Sequence, residues 1–366
     1  MTENTSQTSA EQLPADRVTM LRCQQTLAPL IAREDGLYSE AAKLVYPVED
    51  GLVFMGYDER QHDLVQLLME EERDWQADPG PEQLERDLRF LQHSARFAVQ
   101  TIHLLRRATS FQPGLKALEL GAGSGWVSWL LAQAGYDTWL CDFEPNSLSL
   151  GWIYAHSRLG PGKRIACDAR LAPFADESFD VVLCKEFAHH IKDKRSLLAE
   201  SNRVLKPGGT LVLVDPTKSL WSAVHHLRHP DPFLGHEIAW PAGYVRAVKS
   251  AGFRIIRQRA YYPQPDGRRA AATWVKKRSN RALLNTERPR DWFGWVAQHL
   301  LLGSLVLVAT KEHADVKPPP RPTIRIIDPS QVRVSPSDRQ RYRPHRELLE
   351  SVARDLDNSP ADSIGG

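Results

Sequence analysis

The chain has 366 residues, 47 basic and 45 acidic side chains, and four scattered cysteines, Cys23, Cys141, Cys167 and Cys184. That length accommodates one full α/β domain with additions, the net charge of +2 carries no global signature of nucleic-acid binding, and cysteines spread in this way form no disulfide framework. The polar opening Met1-Thr-Glu-Asn-Thr-Ser-Gln7 has no secretory signal, and the longest apolar run, Trp292 to Thr310, is interrupted by Gln298, His299 and two glycines, so it is expected to be buried or interfacial and the protein cytoplasmic.

Residues 1–17 are rich in Ser, Thr, Glu and Gln and are expected to be disordered. Residues 18–56 read as a small β-rich unit, with short strands at Met20–Cys23, Leu37–Tyr38, Leu44–Tyr46 and Leu52–Phe54 between Asp and Gly turns. Residues 57–112 read as helical. Leu64, Leu67 and Leu68 share one face of a first helix from Asp58 to Trp75, and Asp78-Pro-Gly-Pro81 breaks it. A second runs from Glu82 to Arg107 on the stripe Leu84, Leu88, Leu91, Ala95, Val99, Ile102 and Leu105.

From 113 to 311 strands alternate with helical patterns: 115–120, 137–142, 163–167, 179–184, 209–214, 253–262 and 304–310. The crossovers between them predict a mostly parallel sheet with helices on both faces. Within this domain the insert 263–300 carries Arg268, Arg269, Lys276, Lys277, Arg278 and Arg281 among Trp274, Trp292 and Trp295. It is open to three readings: a solvated helical hairpin, a contact with an anionic membrane surface, or, last because no RNA-binding module accompanies it, a nucleic-acid patch. The tail 312–366 starts on the stiff Lys317-Pro-Pro-Pro-Arg-Pro322, then predicts a strand at Thr323–Ile327 and an amphipathic helix at 346–356.

The domain is organised around Glu119-Leu-Gly121-Ala-Gly123-Ser-Gly125-Trp126. An apolar strand ends in a carboxylate, three glycines alternate, and a helical pattern follows. Bare backbone at such a turn allows a ligand to approach closely. A phosphate-cradling loop would place Lys-Ser or Lys-Thr after the last glycine; Trp126 stands there instead. The second strand ends at Asp142, about twenty residues beyond the turn, where a carboxylate can accept both hydroxyls of a ribose. Asp168 follows the third strand, where it or its neighbouring amide could meet an adenine amino group. Pro207-Gly-Gly209 turns the chain into the fifth strand.

In order and spacing, Glu119–Gly125, Asp142, Asp168-Ala169 with Leu171-x-Pro-Phe174, Phe179-Asp180 and Arg203-Val-Leu-Lys-Pro-Gly-Gly209 resemble the class I S-adenosylmethionine-dependent methyltransferases, notably the branch of quinone-biosynthesis and other small-molecule enzymes. The resemblance implies an α/β, Rossmann-like, seven-stranded sheet. It implies S-adenosyl-L-methionine as cofactor, held by Glu119, Gly121, Ala122, Gly123, Gly125, Asp142, Phe143, Asp168, Ala169, Lys185 and Glu186. In that family the helices ahead of the first strand often cover the ligand cleft; here they could equally be a prop on the sheet. A dinucleotide-binding dehydrogenase would explain the glycine turn but not the later motifs.

Leu21-Arg-Cys23, Ala28-Pro-Leu30, Asp35-Gly-Leu-Tyr38 and Tyr46-Pro-Val-Glu-Asp-Gly51 resemble the zinc-ribbon domain of tRNA-methyltransferase activators. A ribbon needs paired cysteines; Thr26 occupies the position of the partner of Cys23 and the second pair is absent, so a β unit without metal is expected.

After the fourth strand comes Cys184-Lys-Glu-Phe-Ala-His189-His190. Methyl transfer from a sulfonium needs alignment and a group that takes the acceptor's proton. His189 or His190 could do this, or could simply begin a helix. The His-rich stretch from His225 to Glu237 lacks a fixed metal spacing, so no metal is expected; His229, His236 and Trp240 are candidates for acceptor contact. The expected activity is methylation, at oxygen, of a small-molecule, glycan or lipid-linked acceptor, with no nucleic-acid partner and with peripheral membrane contact open. An RNA methyltransferase and a catalytically silent cofactor-binding subunit are the alternatives.

Overall fold

The computed structural model describes residues 10–67, 69, 81–150, 162–220, 237–261, 283–285, 304–313, 316, 318–332, 343–354 and 356. Its strands are β1 (Ile31–Arg33), β2 (Gly36–Ser39), β3 (Leu44–Tyr46), β4 (Val48–Glu49), β5 (Leu52–Phe54), β6 (Gly56–Asp58), β7 (Lys116–Leu120) and β8 (Asp137–Asp142). They continue as β9 (Arg164–Ala166), β10 (Phe179–Lys185), β11 (Leu205–Pro216), β12 (Phe253–Tyr261), β13 (Leu283–Asn285), β14 (Ser304–Lys311) and β15 (Ile324–Ile326). The helices are α1 (Ala15–Met20), α2 (Pro81–Ala108), α3 (Trp126–Gln133), α4 (Pro145–Leu150), α5 (Lys194–Val204), α6 (Pro241–Ser250) and α7 (Arg343–Ala353).

The main sheet has, among the described residues, ten strands in the order β13-β12-β14-β11-β10-β7-β8-β9-β5-β4. The seven expected strands form its continuous middle. From β11 across to β5 all pairs are parallel; β14, β12, β13 and β4 join antiparallel. The central strands are apolar at successive positions because both faces are covered. Leu118, Leu120, Val182, Cys184, Leu211 and Leu213 point to the face packed by Leu197 and Leu198 of α5 and by Tyr244 and Val248 of α6. Ala117, Val181, Leu183, Val212 and Val214 point to the other, under Ile102 and Leu105 of α2, Leu130 of α3 and Leu349 of α7. On the first face Trp139 meets Phe174 and Phe179 edge-on at ring separations of 5.7 and 6.3 Å, contacts worth about 0.5–1.5 kcal/mol each beyond area burial.

The N-terminal unit departs from the expectation of a separate module. β1, β2 and β3 form a small antiparallel sheet, but β5 pairs in parallel with the edge strand β9, Leu52 to Phe54 against Arg164 to Ala166. The main sheet therefore runs into the N-terminal unit, which supplies two of its ten strands. Order also begins earlier than expected. Ala10–Gln12 form a 3-10 turn and α1 follows, with Ala10 and Leu13 buried in the main core. Met20 closes α1 rather than opening a strand, and Leu21 and Arg22 make only single bridges, to Phe174 and Pro29. Cys23 lies buried with Sγ 3.2 Å from the Tyr46 hydroxyl, and all four cysteines are unpaired and buried.

The C-terminal tail returns across this unit. β15 pairs antiparallel with β6, and a β-carbon on Gly56 would lie 2.3 Å from both the Arg325 carbonyl oxygen and Ile324 Cγ2, so only glycine permits this approach. Arg321 donates to the Gln24 carbonyl at 3.1 Å and to Glu200 at 2.6 Å. Of the insert 263–300 only β13 is described; its basic and tryptophan residues, like the second half of the first predicted helix, lie outside the described residues. No helix among the described residues is long and apolar enough to cross a membrane.

Candidate functional site at the carboxyl ends of the central strands

Strands β7, β8, β9 and β10 end along one edge, and the glycine turn, Asp142, Asp168 and the segment Lys185 to His190 follow those ends. The turn after β7 holds Gly121, Gly123 and Gly125 at φ of +72°, +52° and +76°. Its amides are fixed by the neighbouring strand: Gly121 N and Ala122 N both donate to the Cys141 carbonyl at 2.9 Å. Gly121 also has no room for a side chain, since a β-carbon would fall 1.9 Å from Cγ of Phe187. A β-carbon on Gly123 would meet nothing within 4 Å among the described residues.

Asp142 ends β8 beneath the turn. Its Oδ2 accepts Gly123 N at 2.7 Å and its Oδ1 accepts Glu144 N at 3.1 Å. Burial raises its pKa to about 6 against these two amides, and the nearby charge of Glu144 adds to the rise. Glu144 itself accepts Asn146 Nδ2 at 2.8 Å and Ser147 N at 2.5 Å, so it caps α4. Glu119 is buried with Ser128 Oγ donating to it at 2.5 Å. Burial lifts its pKa to about 7; Ser128 and the charge of Lys185 oppose that lift. Phe143 and Ala122 pack with Leu52, Phe54 and Tyr57 of the N-terminal unit and with Val332 of the tail.

Asp168 is more constrained than the sequence suggested. Its amide donates to Gly56 O at 3.0 Å, and its carboxylate accepts from Arg170 N at 2.9 Å, Nε at 2.9 Å and Nη2 at 2.5 Å. Arg170 also donates to Gln61 Oε1. Buried Gln24 donates to Gly56 O at 2.9 Å and Leu171 O at 3.0 Å, and accepts from Gly56 N. Gln24, Gly56 and Gln61, all N-terminal, thus brace the turn Asp168–Leu171, on which Ala169 is buried.

Beyond β10, Lys185 donates to Glu186 Oε2 at 2.7 Å and lies 5.0 Å over the ring of Trp126. His189 and His190 separate clearly. His190 is exposed, whereas His189 is buried with Nδ1 3.0 Å from Oδ1 of Asp215, a carboxylate with no exposed surface. The Tyr244 hydroxyl donates to the other oxygen of Asp215, and burial together with that charge pushes the Tyr244 pKa far up. With Asp215 as a carboxylate, which only accepts, the pair has Nδ1–H donating to it and Nε2 as the acceptor nitrogen of the ring. The two histidine rings lie 4.1 Å apart.

Trp240 precedes α6 and is 44% exposed; Glu237 N donates to the His189 carbonyl at 2.7 Å. His229 and His236 lie outside the described residues. No cluster of three or more His, Cys, Asp or Glu that could hold a metal occurs among the described residues. Sequence reasoning did not assign Asp215, Tyr244, Arg170, Gln24 or Gln61 to the site. Only Asp215 carried a signal: a lone acid at the carboxyl end of a buried strand beside β10.

Residues 118–213 match the family model described as a methyltransferase domain. The demethylmenaquinone methyltransferase of Paenarthrobacter aurescens is 39% identical over 150 residues, which is 39% of this chain and 57% of that protein. The enzyme of the same name from Mycobacterium sp. strain JLS is 32% identical over 174 residues, 42% of this chain and 73% of that protein. The match to the first of these relatives thus spans little more than half its length. Among solved structures, the Haloferax volcanii complex of the Trm112 methyltransferase activator with a methyltransferase is similar at 19% identity and a TM-score of 0.43, covering 70% of this chain and 99% of that one.

Proposed function

Since the chain belongs to the S-adenosylmethionine-dependent methyltransferase family, covering 73% of a relative to which it is 32% identical, we propose that it transfers a methyl group to a small phenolic acceptor of the quinol class, with His189 as the base that takes the acceptor's proton. The observation that carries the reading is the His189–Asp215–Tyr244 chain standing at the same sheet edge as the glycine turn.

The residues at the turn fit the cofactor. Each Asp142 oxygen accepts one backbone amide, and a carboxylate offers about four acceptor positions, which leaves acceptor capacity for the two hydroxyls of a ribose. Bare backbone at Gly123 has no described neighbour within 4 Å of where a β-carbon would lie. In this reading Gly121, Ala122, Gly123 and Gly125 line the cofactor, Asp142 holds its ribose, Phe143, Asp168 and Ala169 border its adenine, and Glu119 supports the turn from below. The bound cofactor supplies a methyl group already activated on a sulfonium, so what this chain adds is alignment and a place for one proton.

His189 Nε2 takes that proton from the acceptor's hydroxyl, and Asp215 stabilises the imidazolium that forms while fixing the ring's tautomer. Removing the proton enriches the phenolic oxygen and the ring carbons conjugated to it, so one base serves transfer to either; transfer to oxygen is the expectation from sequence. The quinol class is favoured by the relatives named for demethylmenaquinone. A lipid-linked acceptor suits the exposed Leu220 and Trp240, whose chain segments are joined by Lys218 N donating to Ala239 O. The test is transfer of an isotope-labelled methyl group to demethylmenaquinol and to simple hydroquinones, with the product's methyl position read by NMR. Protein that binds S-adenosylhomocysteine but methylates none of these acceptors refutes the acceptor class.

A further inference from the structure

Side chains alternate between the two faces of the sheet along β11. Leu211 and Leu213 join the core layer of α5 and α6, and Val212 and Val214 join the other. Asp215 keeps the period, since its carboxylate meets Tyr244 of α6 and His189. The next residue of that series is Thr217, one position past the strand end at Pro216. Thr217 is 2% exposed, and its Oγ1 is buried with no hydrogen-bond partner among the described residues. A hydroxyl carries one donor and two acceptor positions. Leaving all of them unmet in a protein interior is unfavourable, and native structures seldom do it.

Two backbone bonds bring this hydroxyl close to His189. Glu237 N donates to the His189 carbonyl at 2.7 Å, and Lys218 N donates to the Ala239 carbonyl at 2.9 Å. One short segment is thus pinned to the histidine turn at Glu237 and to the residue after Thr217 at Ala239. Two residues of chain span at most about 7 Å. The imidazole, the unmet hydroxyl and half-exposed Trp240 therefore border the same short segment. A polar group kept unmet at a binding edge destabilises the protein alone and gains its partner from the ligand. A ring with an oxygen at each end fits this pair of groups: one oxygen at His189, the other at Thr217.

We propose that Thr217 binds the second oxygen of the acceptor, so that the site selects a ring with two opposed oxygens over one with a single hydroxyl. The assignment rests on the reading of His189 as the base at the first hydroxyl. A site built to hydrogen-bond a substrate oxygen rejects the analogue that lacks it, because its own group is then stranded. Naphthohydroquinone, kept reduced, and α-naphthol differ by that oxygen. The test measures labelled-methyl transfer by the full chain to the first, with the second as competitor. Thr217→Val keeps the shape and removes the hydroxyl. It should lower kcat/KM for naphthohydroquinone by at least about fivefold, mainly through KM, the loss for stranding one neutral hydrogen-bonding group. The inhibition constant of α-naphthol should not change, and Thr217→Ser should recover most of the loss. Urea unfolding without acceptor separates this role from a structural one: an unmet hydroxyl predicts a Thr217→Val midpoint equal to or above that of the wild type. A lowered midpoint means that the hydroxyl already has a partner in the acceptor-free protein and overturns the assignment. Equal losses for both compounds, or no loss for either, overturn it too. If α-naphthol does not compete at all, kcat/KM and the midpoint decide. Wild-type protein that binds S-adenosylhomocysteine but methylates no quinol refutes the acceptor reading, and this assignment with it.

Discussion

Nδ1 of His189 lies 3.0 Å from Oδ1 of Asp215, both groups buried, the histidine on the 3-10 turn after β10 and the carboxylate near the end of β11. His190, by contrast, is exposed. His189→Asn is therefore expected to lower the methyl-transfer rate by about 10²- to 10⁴-fold, the usual contribution of a positioned base. Asp215→Asn should lower it as well, since an amide can favour the wrong imidazole tautomer. His190→Asn should keep the rate within a few-fold. All three should bind S-adenosylhomocysteine as the wild type does. A labelled-methyl assay checks the rates, and the reverse pattern, with His190 essential and His189 dispensable, transfers the role to His190.

Asp142 gives cofactor binding a pH dependence of defined sign. Its pKa is raised to about 6, and only its ionised form accepts on both oxygens. Affinity for S-adenosylhomocysteine should therefore rise from pH 5 to 7.5, by at most about tenfold per unit below the pKa and then level off. Asp142→Ala should weaken binding by about 1–3 kcal/mol, the cost of stranding hydrogen-bonding groups, and flatten the profile. Titration calorimetry across this range is the check; unchanged affinity in the variant removes the ribose assignment.

How much of this was readable beforehand follows from where each signal resides. The central strands were legible because burial on two faces forces an apolar residue at nearly every position, as in Leu211-Val-Leu-Val214. The glycine turn was legible because its backbone shape excludes other residues. The bond from His189 to Asp215 was not, since it depends on β10 and β11 lying side by side, a pairing between residues 26 apart in sequence. Nor was the fusion of the N-terminal unit to the sheet. Leu52-Val-Phe54 is three residues long, and nothing in three residues says which edge they will join. The same holds for residues 10–17, whose composition reads as disordered and which bury Ala10 and Leu13 in the main core.

Glu119 makes folding stability depend on pH in the direction opposite to a salt-bridged acid. Burial raises its pKa from 4.5 to about 7 in the folded chain. Between those values the folded state holds a proton that the unfolded state has lost, so stability falls as pH rises through this window and is level above it. The shift corresponds to an order of magnitude of about 3 kcal/mol. Glu119→Gln, which can still accept from Ser128, should show a shallower fall in urea-unfolding free energy between pH 5 and pH 8. A wild-type stability that climbs over this range while the variant stays level contradicts the assignment.

Gln24 ties the N-terminal unit to the cofactor edge through one fully buried side chain that makes two bonds to Gly56 and one to Leu171. Gln24→Met keeps the volume and removes all three. The stranded Gly56 amide and Leu171 carbonyl should cost about 1–3 kcal/mol for each that finds no new partner, read as a lower urea midpoint. Because Gly56 O also receives the Asp168 amide, the same variant should weaken S-adenosylhomocysteine binding even where it is fully folded. Thr26→Ala, at an exposed position whose hydroxyl accepts from Ala28 N at 3.3 Å, should change neither quantity appreciably. If Gln24→Met matches the wild type in both measurements, the N-terminal unit does not brace the site through this residue.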